Sequence, residues 1–454
     1  MPTRTPPSTQ RSTPSEKYGA AVHTLAARQS PLKRMGKFWH QLGPGLTTGA
    51  ADDDPSGIAT YTQAGSQFGF QLLWLSAFTF PLMAMVQEMC ARIGIVTGRG
   101  LAANIRANYP RFILYICTAL LFIANVFNIG ADLGIMARAM QLLVPQLNFG
   151  FLLVGFTLLS LALQVFVSYT RYARFLKWLA LVLLAYIFTA FVVPNVQWGD
   201  VLRHVIIPSV QFSKTQILLI CAILGTTISP YLFFWQTSQE VEEEITEGKR
   251  TVAARQRDAS PNLVRRTRVD TWVGMFFSNL VMFFVILTGG AVLHAAGLTN
   301  ITSAADAAAA LEPLAGQGAF ILFTIGIVGI GLLAVPVLAG SAAYAIAESF
   351  RWKEGLYRKL KSAYAFYGVI AVAMVVGFVL NFVGLNPISA LIAAAVINGI
   401  VAPIILYFIV SLSSRKTLMG EYVNSHWVRW FGWFTTITMA VVAVASIGAL
   451  FMRT

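Results

Sequence analysis

The chain has 454 residues, 56% of them hydrophobic and only 11% charged, with a mean hydropathy of +0.67. An apolar content this high excludes a soluble domain of such length and marks an integral membrane protein. The formal charge of +14 raises nucleic acid as a partner, but Lys and Arg recur in short clusters between apolar runs and never join into a surface that could neutralise phosphates.

Residues 1–36 are rich in Ser, Thr, Pro and Arg and lack the apolar centre of a signal peptide, so they read as a disordered tail. Eleven apolar runs follow, each long enough to cross a bilayer at roughly 20 residues per span. They fall near 42–70, 71–91, 112–142, 149–168, 176–195, 214–241, 270–296, 317–348, 363–383, 386–412 and 427–452. The expected organisation is a core over 37–412, made of two five-helix halves near 42–195 and 214–412, with an additional eleventh helix within 413–454. Basic residues alternate sides strictly. With the tail inside, clusters such as Arg92 to Arg111, Arg171 to Lys177, Lys249 to Arg268 and Arg351 to Lys361 all fall on the cytoplasmic side. Only Arg138, Arg203, Lys214 and Arg453 fall elsewhere. The amino terminus is therefore expected in the cytoplasm and the carboxyl terminus outside.

Two runs are interrupted. In the first, Asp52, Asp53 and Asp54 precede Pro55, Ser56 and Gly57. Carboxylates at membrane depth are costly unless they face a cavity, a partner or an ion, and proline removes a backbone donor, so the helix breaks here and frees carbonyls as cation ligands. On a helix Asp52 and Asp53 point about 100° apart, so at most one of them can accompany Asp54 into a cavity. In the sixth run Gly225-Thr226-Thr227-Ile228-Ser229-Pro230-Tyr231 forms a second break. Five spans separate the two, an odd offset, so the broken helices run in opposite directions, as in an inverted repeat with its site at the midplane. Each half-helix before a break aims the negative end of its dipole at the gap, which favours a cation. Asp54 supplies the full charge.

These residues carry a resemblance. Gly43-Pro44-Gly45 leading to Asp54-Pro55-Ser56-Gly57, then Gln63-Ala64-Gly65 and Gln67-Phe68-Gly69, resembles the first helix of the Nramp family of divalent-metal transporters. Arg92-Ile93-Gly94 with Thr97-Gly98-Arg99, the Ala131-Asp132-Leu133 step, the sixth-helix break, and the segment from Asp306-Ala307-Ala308 to Leu314-Ala315-Gly316 are similar to that family as well. The resemblance, over roughly 40–450, implies an all-α polytopic protein of leucine-transporter type, a 5+5 inverted repeat with broken helices 1 and 6. It also implies an ion held between the breaks and moved by alternating access.

Departures from the family pattern bear on the ion. Gly57 stands where these proteins carry an asparagine ligand, Ser229 where they carry methionine, and Tyr231 where they carry histidine. Without a thioether the site loses its soft ligand, whereas carboxylate, hydroxyl, carbonyl and water suit Mg²⁺, Ca²⁺ and Mn²⁺. The pattern resembles divergent Nramp-related magnesium transporters. The expected metal ligands are Asp54, Ser229, Gly57, Thr226 and Asp53, with Asp132, Tyr231 and Asn398 as surrounding or proton-path residues. Family members also carry a second acid in the third helix and arginines in the ninth; here Ile135 and an arginine-free ninth span take those places, so the expected proton coupling is weak or absent. The alternatives are an ordinary proton-coupled Mn²⁺/Fe²⁺ symporter and an amino-acid carrier on the same fold; Asp54 argues against the latter, since such carriers leave the first break uncharged.

Several polar residues have bland readings. Asp132 has Arg138 or Asn128 as a partner at helical reach; Glu88 has Arg92; Asn398 competes with Ala395 as the counterpart of a family glutamine. Gln236 takes the place of a family histidine. Glu240, Glu242, Glu243 and Glu244 read as a solvated helix end or an inner gate, and Trp427, Trp430 and Trp433 as interface anchors. Cys90, Cys117 and Cys221 lie within apolar runs and read as core. His23, His40, His204, His294 and His426 never form a His-Glu-x-x-His set, so an intramembrane metalloprotease is excluded. No cofactor is expected; the partners are a divalent cation and the lipid bilayer, with a monomer as the working assembly.

Overall fold

The computed structural model describes residues 43–167, 181–194 and 196–452. The tail over 1–36, the Arg171 to Lys177 cluster and the first residues of the fifth span lie outside the described residues. Pro44–Thr454 forms one compact unit, and within it the described secondary structure is helical throughout. The first span is split into α1, Pro44–Asp52, and α2, Pro55–Phe68. Then come α3, Trp74–Thr97; α4, Leu101–Asn108; α5, Arg111–Leu143; α6, Phe149–Phe166; and α7, Leu184–Val192. The second half opens with α8, Lys214–Thr227, and α9, Pro230–Thr246, again one span in two pieces. It continues with α10, Pro261–Thr288; α11, Ala319–Phe350; α12, Tyr364–Leu380; α13, Pro387–Ser413; and α14, His426–Leu450. Among the described residues eight stretches are long and apolar enough to cross a membrane. The broken α1–α2 and the shorter α7 and α12 occupy the other three expected positions.

Local chemistry sets the ends. Ser260 accepts a hydrogen bond from Leu263 N and Pro261 follows at the first helical position, so α10 starts nine residues before the apolar run expected at 270. Hydropathy misses this turn because it carries Arg265, Arg266 and Arg268. Similarly α3 runs on to Thr97, where Gly98 adopts the left-handed conformation, φ 60°, and stops it. Asn386 caps α13 through Ile388 N at 2.9 Å, with Pro387 behind it. In the loop ahead of α11, Ser303 and Asp306 form a reciprocal capping box. Partial burial opposes ionisation of Asp306, but hydrogen bonds from Thr302 and Ser303 outweigh it and hold the carboxyl below its usual value.

The broken helices sit inside. Helices α1, α2 and α3 pack along α10, α8 packs along α13, and α5 lies between α11, α12 and α13. Each half of one broken span also touches the opposite half of the other: α2 meets α8, and α1 meets α9. Phe151, Phe166, Val372 and Val444 are among the large apolar side chains left exposed on the outer helices α6, α12 and α14, as a lipid-facing surface requires. Cys90, Cys117 and Cys221 are free thiols in the interior, as expected.

Two seams bring backbone directly against backbone. A Cβ on Gly49 of α1 would stand 2.3 Å from the Gly274 carbonyl of α10, and one on Gly225 of α8 would stand 2.1 Å from the Ala395 carbonyl of α13. Gly49→Ala should therefore force α1 away from α10 and destabilise the protein by about 1–3 kcal/mol. Gly155 of α6 has nothing within 4 Å, so Gly155→Ala should leave the melting midpoint in detergent unchanged or raise it. Equal midpoints for the two variants would show that the seam is not tight.

Candidate functional site

The two breaks have the same local construction. Pro55 and Pro230 each occupy the first position of the second half-helix, and the residue before each is extended: Asp54 at φ −63°, ψ 167° and Ser229 at φ −85°, ψ 132°. A residue before proline is pushed out of helical space, so the sequence itself places the kink at these two positions. Asp54 then caps its own half-helix. Its Oδ1 accepts from Gly57 N at 2.8 Å and from the Ser56 hydroxyl at 2.6 Å.

The other oxygen reaches across the fold. Asn128 of α5 donates to Asp54 Oδ2 at 2.8 Å, and the Tyr231 hydroxyl of α9 stands 3.5 Å from the same oxygen. That hydroxyl also donates to the carbonyl of Ala51 at 3.0 Å, one of the groups freed where α1 ends. On the facing side a Cβ on Gly57 would stand 3.1 Å from Thr226 Oγ1 and 3.3 Å from the Tyr61 ring. The structure thus brings Asp54 to Tyr231 and Gly57 to Thr226 at the meeting of the breaks, all four buried, with Ser229 buried in the chain between Thr226 and Tyr231. The Ser229 hydroxyl donates back to the carbonyls of Gly225 and Thr226, both at 2.7 Å. The Thr227 hydroxyl likewise returns to Ile223 O at 2.8 Å.

Other candidates lie to the side. Asp52 and Asp53 both turn to Ser278 of α10, which hydrogen-bonds Asp52 and stands 3.3 Å from Asp53. Asp53 is thereby engaged outside the Asp54 cluster. Asp132 and Asn398 are buried, and their side-chain polar atoms have no hydrogen-bond partner among the described residues. Neither partner expected for Asp132 is there: Asn128 is taken by Asp54, and Arg138 is drawn to Gln141 and the Phe149 ring at the end of α5. Asn398 stands on α13 one turn beyond Ala395, whose carbonyl faces Gly225.

Two further readings are corrected. Glu88 pairs with Arg268 of α10 at 2.9 Å and accepts from the Trp272 indole at 3.1 Å, while Arg92 turns to Asn424; interhelical packing outweighs the nearer spacing along α3. Nor are Glu240 and Glu244 a solvated helix end, since both are buried. Gln236 donates to Glu240 within α9 at 2.7 Å. Asn128 was the residue that pattern reading missed as part of the site; its one signal was a polar side chain one turn before Asp132 in an apolar helix.

Among the described residues no three His, Cys, Asp or Glu side chains converge as a metal cluster. A cation between the breaks would face one carboxylate, Asp54, and otherwise neutral oxygens of hydroxyls, amides and carbonyls. Two discontinuous helices closing on a single buried acid, within a shell of membrane-spanning helices, define the class as a polytopic membrane carrier of leucine-transporter architecture.

Comparison with known proteins agrees. The chain belongs to the Nramp family: the model described as natural resistance-associated macrophage protein-like matches residues 45–449. A divalent metal cation transporter MntH from Klebsiella pneumoniae is 26% identical over 395 residues, covering 86% of this chain and 89% of that protein. Among solved structures, a manganese transporter from Eremococcus coleocola superposes with a TM-score of 0.72 at 19% identity, over 92% of this chain and 88% of that one. The MhsT protein in complex with L-phenylalanine shares the fold at a TM-score of 0.57 and 11% identity, over 90% of this chain and 98% of its own.

Tyr231→Phe strips the Ala51 carbonyl of its donor, so it should cost about 1–3 kcal/mol, read as a lowered melting midpoint in detergent. Asn128→Asp sets a second acid against Asp54 and should cost more. A wild-type midpoint for both would mean that the two breaks are not joined through these side chains.

Proposed function

We propose that this protein carries divalent metal cations across the membrane by alternating access, with Mg²⁺ and Mn²⁺ favoured and with weak or absent proton coupling. The observation that carries the reading is the junction of the two breaks at Asp54, where the available donors are oxygens. Family membership and relatives described as divalent metal cation transporters support the substrate class. One full charge among neutral oxygens suits a hard ion that keeps part of its water shell, and it holds that ion loosely enough to release it.

The geometry suggests how the site answers an ion. In this closed arrangement Ser229 occupies the carbonyls of Gly225 and Thr226. Turning its hydroxyl hydrogen away would release both carbonyls at the negative end of α8 and point an oxygen lone pair inward. Asn128 donates to Asp54 in the meantime, with the Tyr231 hydroxyl beside the same oxygen, and a cation would replace the Asn128 bond. Asp53 would enter the ligand set only by leaving Ser278.

Asp132 lacks both a basic partner and a neighbouring acid at Ile135, and the ninth span brings no arginine. This leaves the cation gradient and the membrane potential as drivers; a potential of 100 mV supplies about 2.3 kcal/mol per charge, hence roughly twice that for a divalent ion. In the proposed orientation, amino terminus in the cytoplasm and carboxyl terminus outside, the inside-negative potential draws the ion inward. A second reading is an ordinary proton-coupled Mn²⁺/Fe²⁺ symporter; the solved manganese transporter of the same fold supports its Mn²⁺ part.

Liposomes holding the purified protein distinguish these. Competing Mg²⁺ and Mn²⁺ uptake should be abolished by Asp54→Ala, and Ser229→Met should shift preference toward Mn²⁺ or Cd²⁺. Unchanged selectivity in the second variant would remove the hard-ion argument, and a stoichiometric proton flux with the metal would establish the second reading instead.

A further inference from the structure

A cavity of about 250 Å³ opens between the ends of α4 and α11 and the start of α5, lined by Arg106, Arg111, Leu114, Tyr115, Phe350 and Arg351 among others. It lies at the opposite end of α5 from Arg138 and away from the paired breaks. Three guanidinium groups around one small space repel each other unless something anionic stands between them. Among the described residues no carboxylate comes within ion-pair distance of any of the three.

Of the two nearby acids, one is bound elsewhere and the other is held toward its neutral form. Glu348 accepts from Ala103 N at 2.9 Å and from Ser238 at 3.1 Å. Burial and the neighbouring Glu348 push the Glu354 carboxyl up, toward its neutral form. Arg106 donates to the Glu348 main-chain carbonyl rather than to an acid; burial and the facing Arg351 work against its charge and outweigh the favourable pull of Glu348 and Glu354.

Backbone and helix electrostatics add two unfavourable choices at the same spot. Arg351 ends α11 in the left-handed conformation, φ 58° and ψ 35°, and is the sole non-glycine residue with positive φ among the described residues. Glycine would take that position without strain. Arg111 opens α5, where the helix dipole already presents positive charge. Both choices raise the local positive potential, and neither stabilises the fold.

The rim of the cavity is apolar and faces outward. Tyr115 stacks on Phe350 with ring centres 5.6 Å apart, Phe350 stacks on Trp352 at 5.2 Å, and all three are over 40% exposed. Phe112 and Ile116 continue this exposed face along α5, at 63% and 51%. Aromatic rings of this kind sit at the level of lipid headgroups, and basic pockets between membrane helices bind anionic headgroups.

We propose that this cavity is a binding site for an anionic phospholipid of the leaflet facing the basic side of the protein. The phosphodiester lies among Arg106, Arg111 and Arg351, and an acyl chain runs along Phe112, Tyr115 and Ile116. The headgroup then neutralises the cluster and ties α4, α5 and α11 together at one end. Because α5 also carries Asn128, the occupied site steadies a helix that contacts Asp54.

Native mass spectrometry of the full chain in detergent, with phosphatidylglycerol and phosphatidylcholine offered together, reads the site directly. Wild type should retain phosphatidylglycerol in preference, and Arg111→Gln and Arg351→Gln should each reduce that preference about fivefold. Arg351→Gly removes the side chain while relieving the backbone, so it should lower the preference as far as Arg351→Gln does, with no fall in melting midpoint. Retained preference in these variants would overturn the proposal. So would a wild-type midpoint raised as much by inorganic phosphate alone as by phosphatidylglycerol, which would mark the cavity as a free-anion site.

Discussion

The interior of this protein depends on how one carboxylate, that of Asp54, is held away from bulk solvent. Asp54 accepts from Gly57 and Ser56 within its own turn and from Asn128 across the fold, and it faces Tyr231 of the opposite repeat. An unpaired charge at that depth would cost several kcal/mol; three neutral donors, Gly57 N, the Ser56 hydroxyl and Asn128, share the task. The same requirement explains the second break, where no acid is present and the Ser229 hydroxyl returns to the carbonyls of its own helix end. One break is thus closed by donors brought in from other helices, the other by its own side chain.

Tyr231 links these two solutions. Its hydroxyl reaches both the Ala51 carbonyl and the neighbourhood of Asp54, so the second half of one broken helix terminates the first half of the other. A histidine at this position would bring a titrating ring into the junction; a phenol stays neutral over the physiological range. That difference and the isolation of Asp132 are what the proposed weak proton coupling rests on.

The breaks themselves were legible from the sequence because proline acts locally: Pro55 and Pro230 restrict the residue before them whatever surrounds it. Hydropathy placed most spans for the same reason, since lipid demands apolar length. What was not legible depended on packing between distant helices. Asn128 belonged to Asp54 rather than Asp132, Glu88 to Arg268 rather than Arg92, and Asp53 turned toward Ser278. Spacing along one helix proposes partners, but the neighbouring helix decides among them. The buried Glu240 and Glu244 illustrate the same point, because a charge-rich helix end looks solvated until α3, α4 and α11 are packed around it.

The glycine seams have a mechanical meaning. Where α1 lies on α10 through Gly49 and Gly274, and α8 lies on α13 through Gly225 and Gly399, backbone meets backbone; at α1 the Asp270 carboxylate also accepts from Gly45 N and Leu46 N, and Ser278 bonds Asp52. Such an interface resists separation, because the close approach maximises dispersion contact, and the polar ties at the two ends of α1 fix its position along the axis of α10 as well. The half-helix that leads to the buried acid is thus bolted to α10 at its first and its last turn, and the two helices form one rigid body.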